Sequence, residues 1–216
     1  MQKLIKITMS PYDYNKVFDF IQNKGRQDFG KNFSLKDEDK PIIKKLAAYF
    51  LKDTYTCARE KIHLQKGILL TGPVGCGKTS LMHLMKYFSN HQQAIYILKS
   101  CREVSFEFIK DGYEVMNRYG RNSFAKSGQA EIPRNYCFDD LGTENNLKYF
   151  GNECNVMAEV LLTRYDLFIT RKLITHITTN LAAGEIEKMY GNRLRSRIRE
   201  LCNLIAFPSH ASDKRR

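Results

Sequence analysis

Residues 72–79 read GPVGCGKT and fit the pattern G-x-x-x-x-G-K-[ST]. An apolar run, GILLT at 67–71, stands directly before it, and an amphipathic stretch with Leu81, Met82, Met85 and Phe88 follows. A strand that enters a helix through such a loop turns its backbone N–H groups toward one point, with the positive helix N-terminus behind them. That arrangement cradles phosphate oxygens, and it calls for an open α/β sheet with the ligand at the C-terminal ends of the strands. Gly72, Gly75, Cys76, Gly77, Lys78, Thr79 and Ser80 are the candidate nucleotide contacts. Cys76 occupies a variable position and is given no chemical role of its own. Lys78 is expected to meet the β- and γ-phosphates, and the Thr79 hydroxyl to ligand Mg²⁺.

The rest of the chain supplies the sheet this loop needs. Short apolar runs recur after residue 67: AIYIL (94–98), YCFD (136–139), LITHIT (173–178) and NLIAF (203–207). Most are separated by helix-period stretches such as Val156, Val160, Leu161 and Tyr165. Strand–helix alternation implies a mainly parallel sheet covered on both faces. Before residue 67 two helices are expected. The first runs from Ser10 to Lys24, with Ser10 as cap, Pro11 in the first turn, Asp13 completing a capping box and Gly25 after the end. The second starts near Asp39 with Pro41 in its first turn, and buries Ile43, Leu46, Ala47 and Phe50.

About sixty residues after the phosphate loop comes NYCFDDLGTE, an apolar strand ending in two acids. It has the form of a Walker B motif. Asp139 is expected to hold Mg²⁺, and Asp140 to orient or deprotonate an attacking water. The run ITTN ends the next strand, which places the Asn180 amide at the same sheet edge to position that water. His176, inside that strand, reads as a satisfied buried residue. No N-K-x-D element follows the loop, so the guanine signature is missing and ATP is the expected nucleotide.

Composition narrows the setting. The 216 residues are 43% hydrophobic, enough for a full core. No apolar run approaches the ~20 residues that span a bilayer. The opening MQKLIKITMSPYDY lacks the pattern of a signal peptide, so a cytoplasmic location is expected. The six cysteines form no C-x-x-C pair and suggest reduced, mostly buried thiols. The formal net charge of +12 points to a polyanionic partner such as nucleic acid.

Residues 190–200, YGNRLRSRIRE, carry Arg193, Arg195, Arg197 and Arg199. A helix would put Arg193 and Arg197 on one side and the other two roughly opposite. Solvation, contact with nucleic acid and action in a neighbour's site are all open on the residues alone.

The phosphate loop, FDDLGTE, ITTN and RLRSR occur in an order that resembles the AAA+ ATPases. Within them it resembles the DnaC/DnaI-type helicase loaders and the IstB-like transposition helpers, across roughly residues 40–216. The DDLG form and the R-x-x-x-R spacing carry most of the likeness, with RYD at 164–166 and NLIAF…SDKRR adding to it. The resemblance implies an α/β three-layer sandwich with a five-stranded parallel sheet ordered 5-1-4-3-2, no C-terminal helical lid and a nucleotide at a subunit interface. It also implies that Arg197 acts in trans on the neighbour's γ-phosphate, with Arg193 one turn away on the same face. Residues 1–30 are expected to form a short helical extension and 31–216 the ATPase domain. The loaders carry a separate helicase-binding domain before the core, whereas only about forty residues precede it here. The 100–127 segment matches an element that lines a DNA channel in this group. Arg118, Arg121, Lys126, Tyr119 and Phe124 would suit single-stranded DNA, although an ordinary crossover helix with a basic loop fits as well. Whether Lys214 or Arg215 of the basic tail replaces the sensor arginine that lidded AAA+ members carry is open on the resemblance. The function implied is ATP-dependent oligomerisation, slow hydrolysis, and loading of a replicative helicase on single-stranded DNA. A transposition helper acting with a transposase, or a DNA-binding adaptor with a largely structural ATP site, is the alternative.

Overall fold

Apolar runs that are buried on both faces can pair only inside a covered sheet, and here five of them do. The computed structural model describes residues 9–89, 95–128, 130–144, 147–149 and 152–214. In chain order these form α1 (Tyr14–Phe29), a 3₁₀ turn (Asp37–Asp39), α2 (Lys40–Phe50), α3 (Thr54–Arg59), β1 (Gly67–Thr71) and α4 (Lys78–Met85). Next come β2 (Tyr96–Ser100), α5 (Cys101–Asp111), α6 (Glu114–Tyr119), β3 (Phe124–Ser127), β4 (Ala130–Pro133) and β5 (Asn135–Leu141). The remainder is β6 (Leu147–Tyr149), β7 (Asn152–Cys154), α7 (Val156–Arg171), β8 (Thr175–Thr179), α8 (Ala183–Leu201) and β9 (Cys202–Ala206).

The main sheet is parallel and ordered β2-β5-β8-β1-β9. Two antiparallel hairpins, β3–β4 and β6–β7, add strands to the numbering. Counting only the five strands of this sheet gives 5-1-4-3-2, the order the resemblance implies. All five expected strands are present within two residues of the motifs that announced them; Ala94, the first residue of AIYIL, lies outside the described residues.

Side chains alternate between two cores. Ile68, Leu70, Cys137 and Ile205 face α1, α2 and α4, while Leu69, Phe138 and Ile177 face α5, α7 and α8. The sheet therefore lies between two helical layers, as expected. Among the described residues no helical lid follows β9, and no helix is long and apolar enough to cross a membrane. All six thiols are unpaired and five are buried.

The first helix differs from expectation at both ends. Asp13, not Ser10, is its cap, accepting from the N–H groups of Asn15 and Lys16. The Ser10 hydroxyl instead donates to Asp53, 2.6 Å away. Gly25 does not end the helix: a Cβ there would stand 2.0 Å from a Phe33 ring carbon, so its missing side chain admits the segment that folds back over α1. The helix stops at Gly30, whose φ of 99° suits glycine. Ile21 is fully buried in the core shared with α2 and α4.

Two buried polar residues tie the sheet together. Arg164 on α7 is wholly buried and, among the described residues, has no acidic partner. Its guanidinium donates to the carbonyls of Tyr119, Arg134 and Ile174 and to the hydroxyls of Ser123 and Thr175. It also lies over the rings of Tyr136 and Phe138. The arginine of the RYD motif thus fastens the 119–123 turn to the starts of β5 and β8. His176, as expected, is buried and satisfied: its Nδ1 accepts the Ile68 N–H at 3.1 Å.

Burial pushes the His176 imidazole down to about 3, and the charges of Lys52 and Arg164 add to the effect. A histidine held neutral in the folded chain but free to protonate near 6.5 when unfolded contributes stability above that pH. The contribution is lost as pH falls from 6.5 toward 3, at about 1.4 kcal/mol per unit. The unfolding free energy from urea melts should therefore drop between pH 7.5 and 5, and His176→Asn should flatten that slope. An equally steep slope in the variant would assign the drop to other groups.

Candidate functional site

The carboxyl ends of β1, β5 and β8 open on one cleft, lined by Gly75, Gly77, Lys78, Thr79, Ser80, Asp140 and Asn180 among others. The local backbone explains why these groups meet. β1 runs out at Thr71, and the chain turns through the glycine loop into α4. Gly77 caps that helix with φ 98° and ψ 18°, a left-handed conformation that glycine adopts without strain. The Lys78 ammonium folds back on the loop and donates to the carbonyls of Gly72 and Pro73, both at 2.8 Å. Cys76 is fully buried, and its sulfur accepts the Lys78 ammonium at 3.9 Å.

β5 delivers the acids. The Asp139 carboxylate is buried and accepts the Thr79 hydroxyl at 3.0 and 2.9 Å and the Thr178 hydroxyl at 2.6 Å. Burial pushes its pKa up, the Thr178 hydrogen bond opposes that, and the charge of Asp140 adds to the rise. Between Phe138 and Leu141 the pairing with β8 slips by one residue. Asp140 sits in this bulge with φ 55°, an uncommon conformation for a residue with a side chain. Its N–H donates to the Thr178 hydroxyl at 2.9 Å, and its carbonyl accepts the Thr143 hydroxyl at 2.8 Å. Bulges of this kind re-aim side chains beside functional sites. Asn180 follows directly at the end of β8, exposed to the cleft.

Thr79 and Asp139 could hold a magnesium ion. Mg²⁺ takes only one or two protein oxygens and fills its octahedron with water and substrate phosphate. A hydroxyl and a carboxylate already in contact are such a donor pair, and among the described residues no cluster of three metal-ligating side chains competes for the ion.

Arg193 and Arg197 are not brought into this cleft. Both lie on α8 beyond a kink at Gly191, where the backbone turns to φ 84°. Arg193 is exposed. Arg197 stacks over the Tyr165 ring at 4.7 Å, with Asp166 3.9 Å away. Arg195 pairs with Glu187 at 3.1 Å, and Arg199 is exposed.

In the 100–127 segment the expected DNA contacts are partly engaged elsewhere. Arg118 is gripped by Glu107 and Asp111, both at 2.6 Å. Tyr119 is buried with its hydroxyl on Glu107, and Arg171 covers the Phe124 ring. Arg121 and Lys126 remain exposed.

Phe29, Asn32, Phe33 and Ser34 line the cleft although they belong to no motif read in the sequence; Thr143 and Lys214, within FDDLGTE and SDKRR, line it as well. Thr178 organises both acids. The FGKNFS stretch reads in sequence as a polar linker; its paired phenylalanines, with ring centroids 5.6 Å apart, were the only signal that it packs against something.

The phosphate loop, the acidic strand end and the 5-1-4-3-2 sheet together define a P-loop NTPase fold of the AAA+ type. More narrowly, the chain is similar in fold to the DnaC helicase loader and to DnaI. The crystal structure of the DnaC helicase loader matches with a TM-score of 0.55 at 14% identity, covering 82% of this chain and 93% of that one. The crystal structure of DnaI matches with a TM-score of 0.52 at 20% identity, covering 82% and 89%. AMPPCP-bound DnaA from Aquifex aeolicus matches at 0.50 and 18%, covering 82% of this chain and 49% of that one. No family model and no curated protein matches the sequence.

Proposed function

We propose that this chain is an ATP-binding, slowly hydrolysing AAA+ switch of DNA replication, of the helicase-loader kind, that oligomerises through its nucleotide. The observation that carries the proposal is the meeting of Lys78, Thr79, Asp140 and Asn180 in one cleft, with the Asp139 carboxylate hydrogen-bonded to Thr79 behind it. The fold shared with the DnaC helicase loader and DnaI supports the biological setting.

Bound ATP·Mg²⁺ would supply the reacting phosphoryl group and neutralise part of its charge. Lys78 exchanges its loop carbonyls for phosphate oxygens. Thr79 and Asp139 hold the ion, and Thr178 keeps the Asp139 carboxylate oriented. Asp140, aimed by the bulge, accepts a proton from water that the Asn180 amide positions. Among the described residues no arginine lines the cleft. On this reading Arg197, with Arg193 beside it, acts in a neighbouring copy's site, where it meets the charge of the transition state. Arg121 and Lys126 are the remaining candidates of the 100–127 segment for single-stranded DNA.

ATPase activity measured across protein concentrations, with and without a single-stranded oligonucleotide, tests the proposal. Specific activity should rise with concentration, stay below about 10 per second, and change when DNA is added. A rate indifferent to both concentration and DNA would favour an adaptor whose nucleotide is structural.

A further inference from the structure

The segment after β9 does not leave the sheet but lies across the phosphate loop. The Phe207 N–H donates to the Thr71 carbonyl at 2.8 Å, and the Lys214 N–H to the Gly75 carbonyl at 3.0 Å. Side chains fasten the same segment to the 3₁₀ turn before α2: Lys36 donates to Ser212 at 2.6 Å, and Ser212 to Glu38 at 3.3 Å. The Lys214 ammonium is thereby held at the cleft, largely buried, 2.6 Å from an Asp39 oxygen. A Cβ built on Gly77 would stand 3.7 Å from that ammonium, so the charge lies beside the start of α4.

Its partner is unusual. Asp39 is wholly buried; one carboxylate oxygen accepts the Lys36 N–H and the Lys214 ammonium, while Oδ1 has no hydrogen-bond partner. A second cation, Lys78, lines the same cleft, its ammonium on the Gly72 and Pro73 carbonyls and the Cys76 sulfur. A buried carboxylate that holds an ammonium at the rim of an anion site keeps that cation ordered and desolvated before the anion arrives. Preorganised charge of this kind strengthens binding because little ordering remains to be done.

We infer that Lys214 is a nucleotide-phosphate ligand acting within its own chain, held ready by Asp39. The inference rests on the nucleotide-site reading above and adds a residue to it from the far end of the described chain. Lys214 stands beside Gly77 at the start of α4, so it serves phosphates present in ADP as well as in ATP.

Equilibrium binding of a fluorescent ADP analogue tests it without relying on hydrolysis. Removing Lys214 alone would strand the buried Asp39 charge and destabilise the chain, so the informative comparison is Asp39→Asn against Asp39→Asn/Lys214→Met. Losing one charge-assisted contact should weaken the analogue about tenfold in the double variant relative to Asp39→Asn. Asp39→Asn itself should bind more weakly than the parent chain, because Lys214 must then be ordered on binding; parent-like affinity in Asp39→Asn would remove Asp39 from the inference. Equal affinity of the two variants would overturn the inference while the parent chain still binds and Lys78→Ala does not. If the parent chain fails to bind the analogue, the site reading itself falls, and this inference with it.

Discussion

Asp140→Asn is expected to lower ATP hydrolysis by about 10²- to 10⁴-fold, the usual weight of a general base, while ATP affinity changes little. The expectation follows from how the two adjacent acids are held. Asp139 is buried and fully occupied by the hydroxyls of Thr79 and Thr178, so its carboxylate is a fixture for an ion. Asp140 is only partly buried, lines the cleft and is turned outward by a one-residue bulge. An amide keeps its size and its backbone contacts but cannot take a proton. Single-turnover rates and equilibrium binding separate the outcomes: slow hydrolysis with unimpaired binding is expected, and a rate near that of the parent chain would remove Asp140 from the chemistry. Asp139→Asn should behave differently, weakening the dependence of binding on magnesium.

Arg197→Ala is the second large effect. An arginine that meets the transition-state charge is worth about 10³- to 10⁵-fold, so hydrolysis should fall to background and lose its dependence on protein concentration. Within one copy Arg197 only stacks on Tyr165 and stands 3.9 Å from an exposed Asp166. A surface pair of that length contributes less than about 1 kcal/mol, so the melting transition should barely move. Arg195→Ala supplies the contrast, because Arg195 is engaged with Glu187 and has no expected part in hydrolysis. If Arg195→Ala and Arg197→Ala lowered the rate alike, the arginine cluster would be acting as a general positive surface.

The strands and the phosphate site were legible because both obey local rules. Runs such as GILLT are apolar throughout, since both sheet faces are covered, and the glycine loop needs only adjacent residues to form. Asp139 and Asp140 could be told apart in role but not in environment: the bulge and the Thr178 hydroxyl that separate them come from a strand about forty residues away. The end of α1 was misread because a glycine after a helical pattern usually stops it, whereas Gly25 is there to admit Phe33. The basic, aromatic composition of 100–127 suggested DNA, but composition does not reveal that Glu107 and Asp111 already neutralise Arg118. Lys214 is legible only as one of two candidate tail cations; its place at the cleft is not, since its partner Asp39 lies 175 residues earlier.

The central claim is that a complete catalytic site is divided between two copies of the chain. Mixing Asp140→Asn with Arg197→Ala tests it most directly. Each variant alone should be inactive, yet an Arg197→Ala copy keeps its own Asp140 and can be served by the intact arginine of an Asp140→Asn neighbour. An equal mixture should then regain about a quarter of the parent activity, the fraction of interfaces that pair the two intact halves. A mixture as inactive as its components would contradict the claim and return Arg197 to its own chain.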